Sequence, residues 1–316
     1  MKPLVILNPS SQKGKTGELA PELVRVIERY LGPVDRADTE APRHAVELAR
    51  QAAEDGRPNV IAVGGDGTVH EVVNGLMRAR DVDSRRRLPT LGVIGQGTGG
   101  DFRKSLSLEH RLDHYCTAIA SKRTKSIDVG RCRYRDRAGE DVDGFFINIL
   151  SVGMGGLVDE YVQQSKGSLG GTLAYFNASV KALLRSEVGI LDCRITSGGR
   201  EREEEIHTRQ IAICNGRFFG GGMEVAPMAE LDDGRFHVVS LGAASKAKFA
   251  LGSLAIYGGK HVDKPEVEVF ACDRIHIEIR NNSIRDIFPL DVDGEPLGTL
   301  PLTIEVLPGA LDVFTG

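Results

Sequence analysis

Nowhere in the 316 residues does an apolar run approach the roughly 20 positions that a membrane-spanning helix needs. The five cysteines (Cys116, Cys132, Cys193, Cys214, Cys272) are scattered, odd in number and never paired as Cys-x-x-Cys. That argues against a disulfide framework or a zinc site and for reduced thiols in a cytoplasmic protein. There is no basic excess either: 40 Lys and Arg face 44 Asp and Glu, a formal net charge of -4, which argues against a dedicated nucleic-acid binder. No repeat of fixed period and no low-complexity linker interrupts the chain. The opening "MKPLVILNPSS" turns polar too soon for a signal peptide. What is left is a globular chain, expected to be soluble and long enough for two domains.

The first 125 residues alternate short apolar runs with helical patterns, as open α/β sheets do. Strands are expected at Leu4–Leu7, Asn59–Val63 and Leu91–Ile94, with helices over about Glu18–Tyr30, His44–Ala53, Val69–Met77 and from near Asp101. From Ser126 the texture changes to period-2 alternation, as in "KSIDVGRCRYR", "GILDCRITSG", "TRQIAICNG" and "DRIHIEI", the pattern of half-buried antiparallel strands. Helical stretches near Gly171–Leu184 and Lys246–Tyr257 interrupt it. The charged "GGREREEEIH" (Gly198–His207) reads as a solvated hairpin loop or sheet edge. The basic runs Arg85-Arg86-Arg87 and Lys122-Arg123 read as solvated surface or as attraction for anionic lipid.

Three strand–turn–helix units carry glycine. In "LVILNPSSQKGKTGE" a Walker A loop fails, because its first glycine would fall at Pro9. In "NVIAVGGDGTVHEVVNGL" three glycines in four positions allow close approach to a ligand, and the backbone amides opening the next helix favour an anion. Thr68 and Glu71 are spaced as a capping box, which explains both without a ligand but leaves Asp66 unexplained. The third turn, "LGVIGQGTGGDFRKSL", repeats the design about 30 residues on. Ligands of open α/β sheets collect at such strand ends.

"GGDGTVHEVVNGL", together with the opening Asn-Pro, the "GTGGDF" turn and a late Asp-Gly-Glu, resembles the diacylglycerol kinase catalytic family, related to sphingosine kinases and more distantly to NAD kinases. The resemblance covers nearly the whole chain. It implies a nucleotide-binding α/β domain (1–125, with 301–316 returning to it) and a β-sandwich-like, lipid-substrate domain (126–300), with the active site in the cleft between them. It further implies transfer of the ATP γ-phosphate to a diacylglycerol-like hydroxyl with Mg2+, the acceptor being reached by peripheral contact with a membrane surface; a homodimer is compatible with it. Other acceptors, such as a sphingoid base, and a catalytically silent nucleotide-binding regulator are the alternatives. By matching position, ATP is expected at Asn8, Thr39, Thr98 and the turn made by Gly65, Asp66, Gly67, Thr68, Val69, His70 and Glu71. Asp66 is compatible with phosphate if magnesium or a hydrogen-bonded partner lies between them. The second turn departs from the family's P-x-G-T-x-N-D-F: Gly95 stands for the proline and Gly100 for the asparagine.

Two acidic stretches remain. "AELDDGRFHVV" reads by itself as an Asp-Gly hairpin; the resemblance implies a structural magnesium held by the Asp233 carboxylate and the carbonyls of Glu230 and Arg235, an all-oxygen set suited to a hard cation. "DVDGEPLG" also reads as a turn, and the resemblance makes Glu295 the general base, assisted by Asp293. Phe218 and Phe219, beside three glycines, face either lipid or the core.

Overall fold

The computed structural model describes residues 1–97, 99–136, 138–164, 171–242 and 245–316. They form two compact units, residues 1–129 with 308–316 and residues 130–307. The chain leaves the first unit inside one strand and re-enters it inside another, rather than at 125 and 301.

Unit 1 is built from β1 (Leu4–Leu7), α1 (Lys15–Leu31), β2 (Asp35–Asp38), α2 (His44–Glu54), β3 (Asn59–Gly64), α3 (Asp66–Val82), β4 (Thr90–Gly95), α4 (Asp101–Ser105) and α5 (Leu112–Ala120). β5 (Thr124–Asp136) then leads into unit 2. The sheet is parallel in the order β4-β3-β1-β2. β1 and β3 are buried along nearly their whole length because helices cover both faces, which explains their unbroken apolar runs. On α3 the side chains of Val69, Val72, Val73, Leu76 and Met77 all turn inward, the stripe that their spacing predicts.

Unit 2 continues with β6 (Asp141–Phe146), β7 (Ile149–Gly153), α6 (Met154–Gln164), α7 (Gly171–Arg185), β8 (Gly189–Ser197), β9 (Arg200–Thr208), β10 (Gln210–Cys214), β11 (Phe218–Phe219), β12 (Met223–Glu224), β13 (Phe236–Ser240), α8 (Lys246–Ser253), β14 (Glu268–Cys272), β15 (Arg274–Ile279), β16 (Leu290–Val292) and β17 (Glu295–Phe314). Strands run β14-β13-β10-β7-β16-β17, and β17 also carries β15, with β8 and then β9 beyond it. Leu150, Ile213, Phe236, Ile275, Leu290 and Leu302, from six of these strands, share one buried cluster, as expected of sandwiched sheet faces. β9 is an edge, its Arg200–Glu205 stretch exposed and charged. The far end of β17 belongs to unit 1, where Val313 pairs in parallel with Leu91 of β4. All five cysteines are free and buried.

Candidate active site

The parallel register of unit 1 brings four strand ends to one level. Leu7 pairs with Asp38 and with Val63, and Val63 pairs with Ile94. The next residues, Thr39, Asn8, Gly64 and Gly95, therefore stand side by side where the glycine turns begin. The turns touch: the Gln96 amide donates to the Gly64 carbonyl at 2.7 Å, and a Cβ on Gly97 would lie 2.8 Å from the Gly65 Cα. Only glycine at 97 permits that approach. The N-terminus of the 17-residue α3 opens directly onto this rim, offering backbone amides and the positive end of a helix dipole.

The side chains of the first turn have tasks that their sequence spacing hides. α3 begins at Asp66, with Gly65 as an extended N-cap and no side-chain cap. Thr68 therefore sits inside the first turn of the helix, and the capping box expected from Thr68 and Glu71 does not form. Instead, the Thr68 hydroxyl accepts a hydrogen bond from Asn8 Nδ2 at 3.1 Å, bracing the turn against the end of β1. Glu71 reaches across to α2, where its two oxygens accept the amides of Arg43 (2.8 Å) and Ala45 (3.1 Å). It caps a neighbouring helix. Asp66 does the same in the other direction: its Oδ2 accepts the amides of Gly100 (2.9 Å) and Asp101 (3.3 Å) at the start of α4.

The negative charge in the glycine turn is thus spent on holding the second turn against the first. Burial, reinforced by the nearby Asp101, pushes the Asp66 carboxyl above its ordinary value, while the amides of Asp101, Phe102 and Gly100 pull the other way. Asp101 is itself buried and pairs with Lys104 at 2.8 Å. Of the remaining expected contacts, Val69 is buried in the core, so only its backbone borders the rim. His70 is half-buried, with Nε2 3.3 Å from Asn74 Nδ2 one turn further on. Thr39 is half-buried, its amide bonded to the Leu7 carbonyl at 2.9 Å. Thr98 lies outside the described residues.

In unit 2, Asp293 and Gly294 make the two-residue turn between β16 and β17, both with positive φ (52° and 91°), the geometry of a tight hairpin. The Asp293 carboxylate is held by three backbone amides: Oδ2 accepts from Ile147 at 3.1 Å, and Oδ1 from Asn148 at 3.0 Å and Ile149 at 3.1 Å. That anchorage fixes the turn that precedes Glu295. Glu295, half-buried, opens β17 opposite Val292. Asn148, whose spacing gave no sequence signal, extends the anchorage: its Nδ2 donates to the Phe218 carbonyl at 2.9 Å. Phe219 is partly buried and packs against a core cluster that includes Ile149, Ala212 and Val225, which fits the core alternative for one of the two phenylalanines.

The Glu230–Arg235 turn leads into β13. Asp233 Oδ1 accepts the Arg235 amide at 3.2 Å, and Oδ2 lies 2.9 Å from His237 Nε2. A half-buried carboxylate oriented by an imidazole, beside turn carbonyls, is a donor set that fits a hard cation. Among the described residues no group of three or more His, Cys, Asp or Glu side chains could hold a metal, so any such site must draw on carbonyls.

A model of the diacylglycerol kinase catalytic domain matches residues 2–132, and one of the YegS C-terminal NAD kinase beta sandwich-like domain matches residues 148–315. The chain belongs to the diacylglycerol kinase catalytic family. It is accordingly a lipid kinase, a phosphotransferase with a nucleotide-binding α/β part and a β-sandwich-like part. Its relatives include proteins named diacylglycerol kinase from Staphylococcus carnosus (strain TM300), 26% identical over 98% of this chain and 94% of that one, and from Staphylococcus aureus (strain bovine RF122 / ET3-1), 27% identical over 98% and 91%. A crystal structure of a diacylglycerol kinase from Bacillus anthracis str. Sterne has the same fold, with a TM-score of 0.69 at 21% identity over 100% of this chain and 97% of that one.

Both departures from the family's second turn have local causes. Gly100 adopts φ +59°, a left-handed conformation that, glycine apart, asparagine enters more readily than most residues. The position selects a backbone shape, and both residues supply it. At Gly95 a Cβ would lie 2.7 Å from the hydroxyl of the buried Tyr115, which occupies the space a larger residue would need. That hydroxyl also meets His110 Nδ1 at 3.0 Å, and burial pushes it up to about 12.

Proposed function

We propose that this lipid kinase transfers the γ-phosphate of ATP to a diacylglycerol-like hydroxyl with the help of Mg2+. The observation that carries the reading is the level rim of unit 1, where two touching glycine turns and the amides of α3 offer a built seat for a polyphosphate. Phosphoryl transfer needs positioning and charge neutralisation above all. Gly65, Asp66 and Gly67 present backbone amides to the phosphates, and Thr68, whose amide bonds the Gly65 carbonyl at 3.0 Å, closes the turn around them. Asn8 and Glu71 keep the turn in place, Thr39 and His70 border it, and Thr98 follows in the second turn. Glu295 takes the proton of the acceptor hydroxyl as that oxygen attacks phosphorus, and Asp293 fixes the turn from which Glu295 projects. Asp233, with the carbonyls of Glu230 and Arg235, would hold Mg2+, which supplies positive charge and local rigidity.

A lipid hydroxyl is met at a membrane surface, and no helix among the described residues is long and apolar enough to cross one. The test is transfer of labelled γ-phosphate to diacylglycerol, sphingoid bases and ceramide in mixed micelles. Labelled phosphatidic acid is the expected product, and Glu295→Gln should lower kcat by about 10²- to 10⁴-fold with ATP binding retained. Product from a sphingoid base alone would replace the acceptor, and ATP binding without any product would overturn the kinase reading for lipids.

A further inference from the structure

The opposite end of the unit 1 sheet carries a second set of converging groups. An open depression of about 370 Å³ lies where the strands start, lined by Asn59 and Thr90, the first residues of β3 and β4. The glycine turns follow the last residues of the same strands, about 17 Å away at ~3.3 Å per residue. Two cations from separate loops meet here: Arg87, between α3 and β4, and Lys122, between α5 and β5. Among the described residues neither side chain has a hydrogen-bond or ion-pair partner. Both loops are nonetheless fixed. The Arg86 amide donates to the Asp83 carbonyl at 3.0 Å, and the Lys122 amide to the Ile119 carbonyl at 3.2 Å. Lys122 is held at φ +58°, a conformation uncommon outside glycine and asparagine.

We infer that this depression binds a phosphate monoester carried on an apolar body. Two unpaired cations at one place suit a dianion better than a carboxylate, and the Thr90 and Thr124 hydroxyls can donate to further phosphate oxygens. Most of the remaining lining is apolar, with Phe314 and Ile119 buried and Tyr30 exposed, while Asn59 and Asp312 are polar. Asp312 also lines the depression and opposes an anion there, so the two cations must outweigh it. One of its oxygens already accepts the Ser126 hydroxyl at 2.5 Å. The site is separate from the glycine turns and does not rest on the kinase reading, although the product of that reaction belongs to the ligand class.

The test uses the full chain saturated with ATP, so that the glycine turns are filled, titrated calorimetrically with short-chain phosphatidic acid below its micellar concentration. Arg87→Ala and Lys122→Ala should each weaken binding by about 10-fold or more, the scale of a lost charge-assisted hydrogen bond. Arg85→Ala, on the same loop but outside the lining, should change it by less than about twofold. The charge-keeping Arg87→Lys should recover part of the affinity, which guards against a folding defect. Absence of binding, or an equal loss in Arg85→Ala, would overturn the site. Inorganic phosphate binding as tightly as the lipid would overturn the apolar half of the inference. Binding only to phosphatidylcholine vesicles doped with phosphatidic acid would replace the pocket by diffuse surface attraction.

Discussion

Asp66 is the residue whose removal separates a scaffold role from a chemical one. Its carboxylate accepts two amides at the start of α4, yet burial and Asp101 raise its pKa. An acid raised in the folded state favours folding while protonated. That contribution is present at low pH and is lost as pH climbs from the ordinary 3.8 through the folded value. Asp66→Asn keeps an oxygen for both amides and sheds the buried charge. At neutral pH it should match or exceed the wild type by about 0.5 kcal/mol or less, its advantage growing as pH rises from 3.8 to the folded value and level above it. Asp66→Ala leaves both amides without an acceptor and should cost about 2 kcal/mol, a fall in Tm of roughly 4–8 °C. Urea unfolding and thermal melts from about pH 3 to 8 measure both, with ATP titrations alongside. An Asn variant as unstable as the Ala variant at neutral pH would refute the capping argument and show that the charge itself holds the turns. Loss of activity in a stable Asn variant that still binds ATP would assign Asp66 a chemical task as well.

Glu71→Ala should cost about 1–2 kcal/mol and speed hydrogen exchange of the Arg43 and Ala45 amides, while α3 itself stays protected. Gly100→Asn should leave ATP affinity within about threefold of wild type, whereas Gly100→Val should lose about 1–3 kcal/mol in melts, because only the second forces a β-branched residue into the left-handed region. Asp293→Ala should destabilise by about 3 kcal/mol or more, since three amides lose their acceptor. Glu295→Gln should leave Tm unchanged and lower only turnover, so thermal melts beside kinetics distinguish the anchor from the base.

The strands with unbroken apolar runs, β1, β3 and β4, were legible in the sequence because helices bury both their faces. β2 was not. Its Asp35-Arg36-Ala37-Asp38 carries no apolar signal, being a half-exposed edge strand held by pairing to β1 and by the Asp35–Arg57 ion pair. α6 was hidden by Gly155 and Gly156, which local propensity counts against a helix but which fit tightly against Gln210 and Pro289. The family motif singled out the glycine turns, but the contacts of its acids were illegible. Thr68 and Glu71 have the spacing of a local cap, and the position of α2 redirects Glu71 to Arg43 and Ala45. Likewise, nothing near Asp293 in sequence announces that its partners lie at Ile147–Ile149. Contacts between distant segments leave a residue type in the sequence but not an address.

The course of β17 has a consequence for how the protein comes to be folded. Because Val313 pairs with Leu91, the sheet of the nucleotide-binding unit lacks one strand until synthesis has passed through every residue of the other unit. A fragment ending at residue 129 would expose the edge of β4, whose buried Leu91, Val93 and Ile94 are the kind of sequence that recruits foreign strands. During translation that edge must wait, unpaired, for some 180 residues to be made, at roughly 5–20 residues per second. Completion of the unit 1 sheet is thereby coupled to synthesis of the whole of unit 2, and a chain truncated at residue 129 is expected to aggregate instead of folding as a free module.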